Sequence, residues 1–218
     1  MATNALLIGE RTFPFHAIDE KGDELVDAVG DAADVEITTD RDALESLDDY
    51  DVLIDYMTDS ELTTEQIDGL VSFVRNGGAY VGVHCAADLT STVPSDPEDV
   101  VDTRPEPDPR HRSLLGGEFL DHPAQSEFHV EAVSDHPVTA GVDSFDVYDE
   151  PYQVDVDATV DVLARMEHSE LKNYPVAWVR TDGDGRVCYI SLGHTDESLR
   201  SSGFRQLLRN AITWATDG

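Results

Sequence analysis

Residues 63–84 read Thr63-Thr64-Glu65-Gln66-Ile67-Asp68-Gly69-Leu70-Val71-Ser72-Phe73-Val74-Arg75-Asn76-Gly77-Gly78-Ala79-Tyr80-Val81-Gly82-Val83-His84. Thr63 with Gln66 makes a capping box, the pairing that satisfies free amides at a helix start. Ile67, Leu70, Val71 and Val74 then fall at i, i+3, i+4 and i+7, one apolar helix face. Gly77 supplies the stop. Ala79 to Val83 is an apolar run of strand length that ends on a histidine. A helix feeding a buried strand is the repeating unit of a parallel sheet, and the flanking sequence extends it on both sides.

Upstream, Ala5-Leu6-Leu7-Ile8 ending at Gly9, Val35 to Thr38 and Asp51 to Asp55 read as strands, with a helix around Asp23 to Asp31. Downstream the chain is richer in strands: Glu127 to Val133, Phe145 to Asp149, Val160 to Met166, Val176 to Arg180 and Arg186 to Leu192. Asp182-Gly183-Asp184-Gly185 reads as a hairpin turn between the last two. A closing amphipathic helix carries Phe204, Leu207, Leu208, Ala211 and Ala215 on one face. The expected architecture is α/β, a mostly parallel central sheet between two helical layers, with a strand-rich second half. At 218 residues it fits one domain spanning 1–218. One segment, 90–112, breaks the pattern with Pro94, Pro97, Pro105, Pro107 and Pro109 among many acids. It reads as an insertion: a lid over the cleft, an interface, or a solvated acidic loop.

The net charge is -32, from 46 Asp+Glu against 14 Lys+Arg. Such a surface repels nucleic acid and anionic lipid, since both are bound through cations. The 40% apolar content is well patterned, which argues for a packed fold over disorder. Acids spread through every segment, with lysine only at Lys21 and Lys172, suit a protein of high-salt surroundings, where the Debye length is about 3 Å at 1 M. No run approaches a membrane span, and the N-terminus lacks the basic region of a signal peptide. Cys85 and Cys188, without a CxxC, fit a reducing cytoplasm. A homodimer is the base-rate expectation for assembly.

Ligands of open α/β sheets bind outside the carboxyl ends of the strands. His84 follows one such strand, and Val187 to Leu192 runs into Gly193-His194. His16 lies just beyond the first strand, and Glu150 follows the strand that ends at Asp149. These four residues supply three nitrogens and one carboxylate, suited to acid–base work or to zinc or manganese. The short HxH or HExxH spacing of many metal sites is missing. His122 and His136 each precede proline, which restricts them to extended backbone, so turn formation already accounts for them. His129 sits within a strand and reads as structural, and His111 and His168 carry no pattern. Cys85 and Cys188 read as small core hydrophobes.

With these residues in view, the chain resembles the ThuA-like (trehalose-utilisation) family, which is similar in fold to class I glutamine amidotransferases. The resemblance rests on GGAYVGVH at 77–84, LLGGEF at 114–119 with Asp121-His122-Pro123, and Asp135 to Thr139. It continues through Tyr148-Asp149-Glu150-Pro151-Tyr152, Tyr174 to Val179, GDGRVCYISLGH at 183–194 and the helix Phe204 to Trp214, with Phe15-His16 resembling an early histidine of the family. Amidotransferases carry a nucleophilic cysteine at the sharp turn after a strand; here His84 stands there and Ala86 replaces the following glycine, so glutaminase activity is not expected. The resemblance implies a flavodoxin-like three-layer sandwich acting on a carbohydrate. With a sugar as substrate, the expected mechanism is acid–base chemistry at a polyol or keto-sugar, with His84, His194 and Glu150 as the catalytic residues and His16, His122 and Tyr152 as substrate-binding. Two rivals stand beside this reading: a non-catalytic sugar-binding or regulatory module, and a metal-dependent hydrolase on the same scaffold.

Overall fold

The computed structural model describes residues 2–96 and 98–217; Pro97 of the proline-rich segment and the two terminal residues lie outside the described residues. The strands are β1 (Asn4–Gly9), β2 (Asp34–Thr38), β3 (Val52–Tyr56), β4 (Ala79–Val83), β5 (Ser91–Thr92), β6 (Asp102–Thr103), β7 (Gly117–Asp121), β8 (Ser126–Ala132), β9 (Phe145–Asp149), β10 (Gln153–Val156), β11 (Asp161–Glu167), β12 (Pro175–Asp182) and β13 (Gly185–Ile190). The helices are α1 (Ile18–Val29), α2 (Thr64–Arg75), α3 (Pro109–Leu115), α4 (Asp196–Arg200) and α5 (Ser202–Thr216).

Nine strands form one sheet in the order β2-β1-β3-β4-β13-β12-β11-β8-β9. The first five are parallel, in the doubly wound order that opens a ligand crevice at the strand ends. The last four add on antiparallel, which accounts for the strand-rich second half. Side chains alternate across this sheet with period two. Leu7, Val81, Val83, Cys188 and Ile190 enter one core with Phe204, Leu207 and Leu208 of α5. Leu6, Ile8, Tyr80, Val187 and Tyr189 enter the other, with Leu70 and Val74 of α2 and Leu114 and Leu115 of α3. Every residue of β3 and β4 is buried, as expected of strands covered on both faces.

The local signals behave as their chemistry requires. Thr63 Oγ1 accepts from Gln66 N at 3.2 Å, and Gln66 Oε1 accepts from Thr63 N at 3.0 Å, closing the capping box of α2. The β12–β13 hairpin turns on Gly183, whose φ of 63° suits glycine. Three expectations need correction. The first helix begins at Ile18 rather than near Asp23; its N-cap, Ala17, makes no side-chain hydrogen bond, so only the acidic first turn, Asp19 and Glu20, marks the start. The 90–112 segment is not structureless: it holds the β5–β6 pair and opens α3, capped by Asp108 with Pro109 in the first turn. Arg104 ties it down, its Nη2 donating to Ser60 O at 3.0 Å and Leu89 O at 2.7 Å. The pair β7–β10 outside the main sheet is also absent from the sequence reading. No helix among the described residues is long and apolar enough to cross a membrane.

Candidate functional site

The carboxyl ends of β1, β3, β4 and β13 open onto one cleft of about 550 Å³. Its floor is a cluster assembled from four separate segments. His84 stands at the abrupt turn from β4 into a single 3₁₀ turn (His84–Ala87), with φ of 46°, a left-handed conformation that costs a non-glycine residue about 1–3 kcal/mol. Its ring is fully buried, and Nδ1 lies 2.9 Å from Ser191 O beyond β13. Tyr189 Oη donates to His84 O at 2.6 Å, so β13 and the residue after it hold both the ring and the carbonyl of His84.

His194 follows Gly193, whose φ of 125° is open to glycine and strained for other residues. Tyr56 Oη donates to Gly193 O at 2.9 Å. The loop is held from the opposite side by Asp149, which is completely buried. Its Oδ2 accepts from Gly193 N at 2.7 Å, and its Oδ1 accepts from His194 N at 3.1 Å, Thr195 N at 3.2 Å and Glu150 N at 3.0 Å. Thus β9, the far edge of the sheet, delivers Asp149 and Glu150 to the end of the central strand β13, because the antiparallel half curls over the cleft.

His16 lies in the loop between β1 and α1, with Nδ1 2.7 Å from Thr58 Oγ1 and Nε2 3.0 Å from His194 Nδ1. Glu10 positions that partner: its Oε1 accepts from Thr58 N at 2.6 Å and Asp59 N at 2.8 Å, while Arg41 holds Oε2 at 2.9 Å. Glu150 Oε2 is 3.1 Å from His194 Nδ1, 3.3 Å from His84 Nε2 and 3.6 Å from His122 Nε2. One ligand atom from each of His16, His84, His194 and Glu150 lies within 4.8 Å of the others, so among the described residues these four form a group able to hold a metal ion.

Charge at this floor is set by burial and neighbours. Burial raises the Glu150 carboxyl, but the nitrogens of His194 and His84 beside it outweigh this and hold it well below the usual carboxylate range. His16 is pushed well below the ordinary histidine value, first by burial and then by repulsion from His84 and His194. The walls mix flat aromatic faces, Phe15, Phe119 and Tyr152, with the polar groups Asp88, Asp121, His122 and Gln125. Tyr152 packs its ring 4.2 Å from that of His84. Ser91 and Val101 of the 90–112 segment also border the cleft.

Of the six residues singled out from sequence, His16, His122, Glu150, Tyr152 and His194 line one cleft, and His84 is buried directly beneath it against Glu150 and His194. His136 does not: it caps the turn at 137–139 and its ring packs on Trp214. His129 pairs with Asp146 at an exposed edge, and His168 bonds Ser126. Asp149, Thr58 and Asp88 escaped the sequence reading. Thr58 and Asp88 lie a few residues past β3 and β4, so the strand-end rule applied to every strand points to both. Cys85 faces inward, fully buried, and desolvation pushes its thiol well above the ordinary value, which leaves no reactive thiolate at this turn.

Fold and site together define the class: a doubly wound α/β protein whose strand-end crevice carries a buried histidine–carboxylate cluster. Within that class the whole sequence decides the family. The ThuA model, described as trehalose utilisation, matches residues 4–215, and the chain belongs to that family. Among solved structures it is similar to a ThuA-like protein from Bacteroides uniformis, with 24% identity, a TM-score of 0.73, and coverage of 98% of this chain and 91% of that one. A ThuA-like protein from Parabacteroides merdae superposes with a TM-score of 0.70 at 17% identity, covering 100% of this chain and 90% of that one. A cytoplasmic protein from Salmonella typhimurium gives 0.68 at 12% identity, covering 98% and 99%. No curated protein matches the chain.

Proposed function

We propose that this protein is an enzyme of carbohydrate metabolism that moves protons at a sugar hydroxyl or beside a sugar carbonyl, without glutaminase activity. The observation that carries the reading is the convergence of His16, His84 and His194 on the Glu150 carboxylate at the floor of a cleft. Aromatic faces beside hydrogen-bonding groups suit a ring with apolar C–H faces and a rim of hydroxyls. The family's association with trehalose utilisation supports the same substrate class. In this reading His84, His194 and Glu150 form the reacting centre, and His16, His122 and Tyr152 position the sugar. The left-handed backbone at His84 is consistent with such a role, since strain of this kind gathers where geometry is needed for chemistry.

The test is a panel of glucosides, trehalose and their keto derivatives, incubated in molar salt and D₂O and followed by NMR. Turnover or deuterium uptake at a ring carbon is expected, and it is abolished in His84→Ala with unchanged circular dichroism. Full activity in that variant refutes the assignment. Tight binding of a sugar without turnover replaces it with the regulatory-module reading. The protein's placement in a high-salt cytoplasm belongs to the same proposal.

A further inference from the structure

The hydrogen bonds around the cluster leave a shortage of protons. Ser191 O is a carbonyl and only accepts, so His84 Nδ1 carries the hydrogen of their 2.9 Å contact. In the neutral ring His84 Nε2 is then a bare lone pair; it is completely buried, has no hydrogen-bond partner, and points at Glu150 Oε2 3.3 Å away. His16 presents Nε2 in the same way when Nδ1 donates to the Thr58 hydroxyl at 2.7 Å. His194 Nδ1, 3.0 Å from His16 Nε2 and 3.1 Å from Glu150 Oε2, brings at most one hydrogen. Four converging electron pairs thus share a single proton. Buried acceptors facing acceptors are costly unless a cation stands between them.

We propose that His16, His84, His194 and Glu150 form a binding site for one divalent transition-metal ion of the zinc class, held through His16 Nε2, His84 Nε2, His194 Nδ1 and a Glu150 oxygen. The spacing fits. Ligands bonded at about 2.0–2.1 Å in a tetrahedron stand roughly 3.3 Å apart; three of the six pairs here stand at 3.0, 3.1 and 3.3 Å, and all six lie within 4.8 Å. The outer groups fit as well: a ligating histidine almost always donates its other nitrogen to a carbonyl, carboxylate or hydroxyl, which holds ring and tautomer. Ser191 O does this for His84 and Thr58 Oγ1 for His16. Three nitrogens to one oxygen selects zinc and its neighbours over magnesium or calcium, which take oxygen ligands. Asp149 serves the site by fixing the backbone of both Glu150 and His194. Metal ligation replaces the acid–base roles given above to His84, His194 and Glu150, and proton transfer to a bound sugar then falls to the cleft-lining groups outside the set, His122 and Asp88.

The proposal does not depend on the sugar reading, and its test reads metal directly. Chelator-stripped protein in molar NaCl is titrated with Zn²⁺ by calorimetry and with Co²⁺ by visible absorption. The expected result is one ion per chain, with the absorption bands of nitrogen-ligated cobalt. His16→Ala and His84→Ala should weaken binding at least 100-fold, and Thr58→Val, which removes only the outer partner, by about 10–100-fold. Glu150→Gln, nearly the same size, keeps the test valid where an alanine variant fails to fold, and it too should weaken binding. His129→Ala, at the exposed Asp146 pair, should leave the titration unchanged. Absence of a stoichiometric ion in the wild type overturns the proposal. So does binding that His84→Ala and Glu150→Gln retain in full, which identifies the acidic surface as the binder. Tight metal binding with no action on any sugar leaves this inference standing and removes the proposed function.

Discussion

Asp149 offers the sharpest test of how the cleft is assembled. Its two carboxylate oxygens receive four backbone N–H groups, from Glu150, Gly193, His194 and Thr195, in the buried interior. Asp149→Asn keeps the shape but replaces one oxygen with an NH₂ group. With the remaining oxygen toward Glu150, His194 and Thr195, the amide nitrogen faces the Gly193 N–H, donor against donor. A hydrogen bond to a charged group contributes about 1.5–3 kcal/mol, and an unmet buried N–H costs about 1–3 kcal/mol. Loss of that contact, together with weakening of the other three as the charge is removed, gives an expected destabilisation of about 2–4 kcal/mol. At about 2–4 °C per kcal/mol for a chain of this size, the melting temperature should fall by roughly 4–16 °C. Asp149→Ala, which abandons all four groups, should cost more. The assay is guanidinium unfolding in molar salt, paired with the zinc titration, because the same loop carries His194. An Asn variant within about 0.5 kcal/mol of the wild type, with unchanged metal affinity, would show that the loop does not need its anchor and refute the reasoning.

Two further outcomes follow from burial and charge. Asp55 is 1% exposed and accepts from Tyr80 Oη at 2.7 Å and Met57 N at 3.0 Å. Burial outweighs these bonds and the charge of Arg41, with Glu10 adding repulsion, and pushes the carboxyl up to about 7. Its folded value lies above the unfolded one near 3.8, so stability is fully present below pH 4 and falls as pH rises through 7. The loss is at most about 4 kcal/mol, three units at 1.36 kcal/mol each. Urea unfolding from pH 5 to 8 should show this slope in the wild type and a flatter one in Asp55→Asn; identical slopes would assign the dependence elsewhere. The second outcome concerns salt: with 46 acids facing 14 Lys and Arg, self-repulsion grows as the Debye length lengthens from about 3 Å at 1 M to about 10 Å at 0.1 M. Circular dichroism should therefore show loss of structure on dialysis to low salt, and a spectrum unchanged in salt-free buffer would remove the high-salt reading.

What the sequence determined by itself was whatever short-range chemistry encodes. The capping box at Thr63, the apolar face of α2, the buried runs of β1, β3 and β4 and the hairpin at Gly183 are readable within a few residues. Histidines just past strand ends marked His16, His84 and His194, because strand ends in a parallel sheet share one edge by construction. Other features carry little local code. The start of α1 lacks a capping side chain, and α3 arises inside a proline-rich stretch because Asp108 and Pro109 happen to cap it. Only the tertiary structure decided that an antiparallel half would join at β13 and curl its edge strand back over the cleft. That long-range pairing brings Glu150 within 3.1–3.3 Å of His194 and His84 and buries Asp149 beneath the Gly193–Thr195 loop. Strand order rests on contacts between residues far apart in sequence, so the histidines were legible as candidates, whereas their meeting around one carboxylate was settled by the fold.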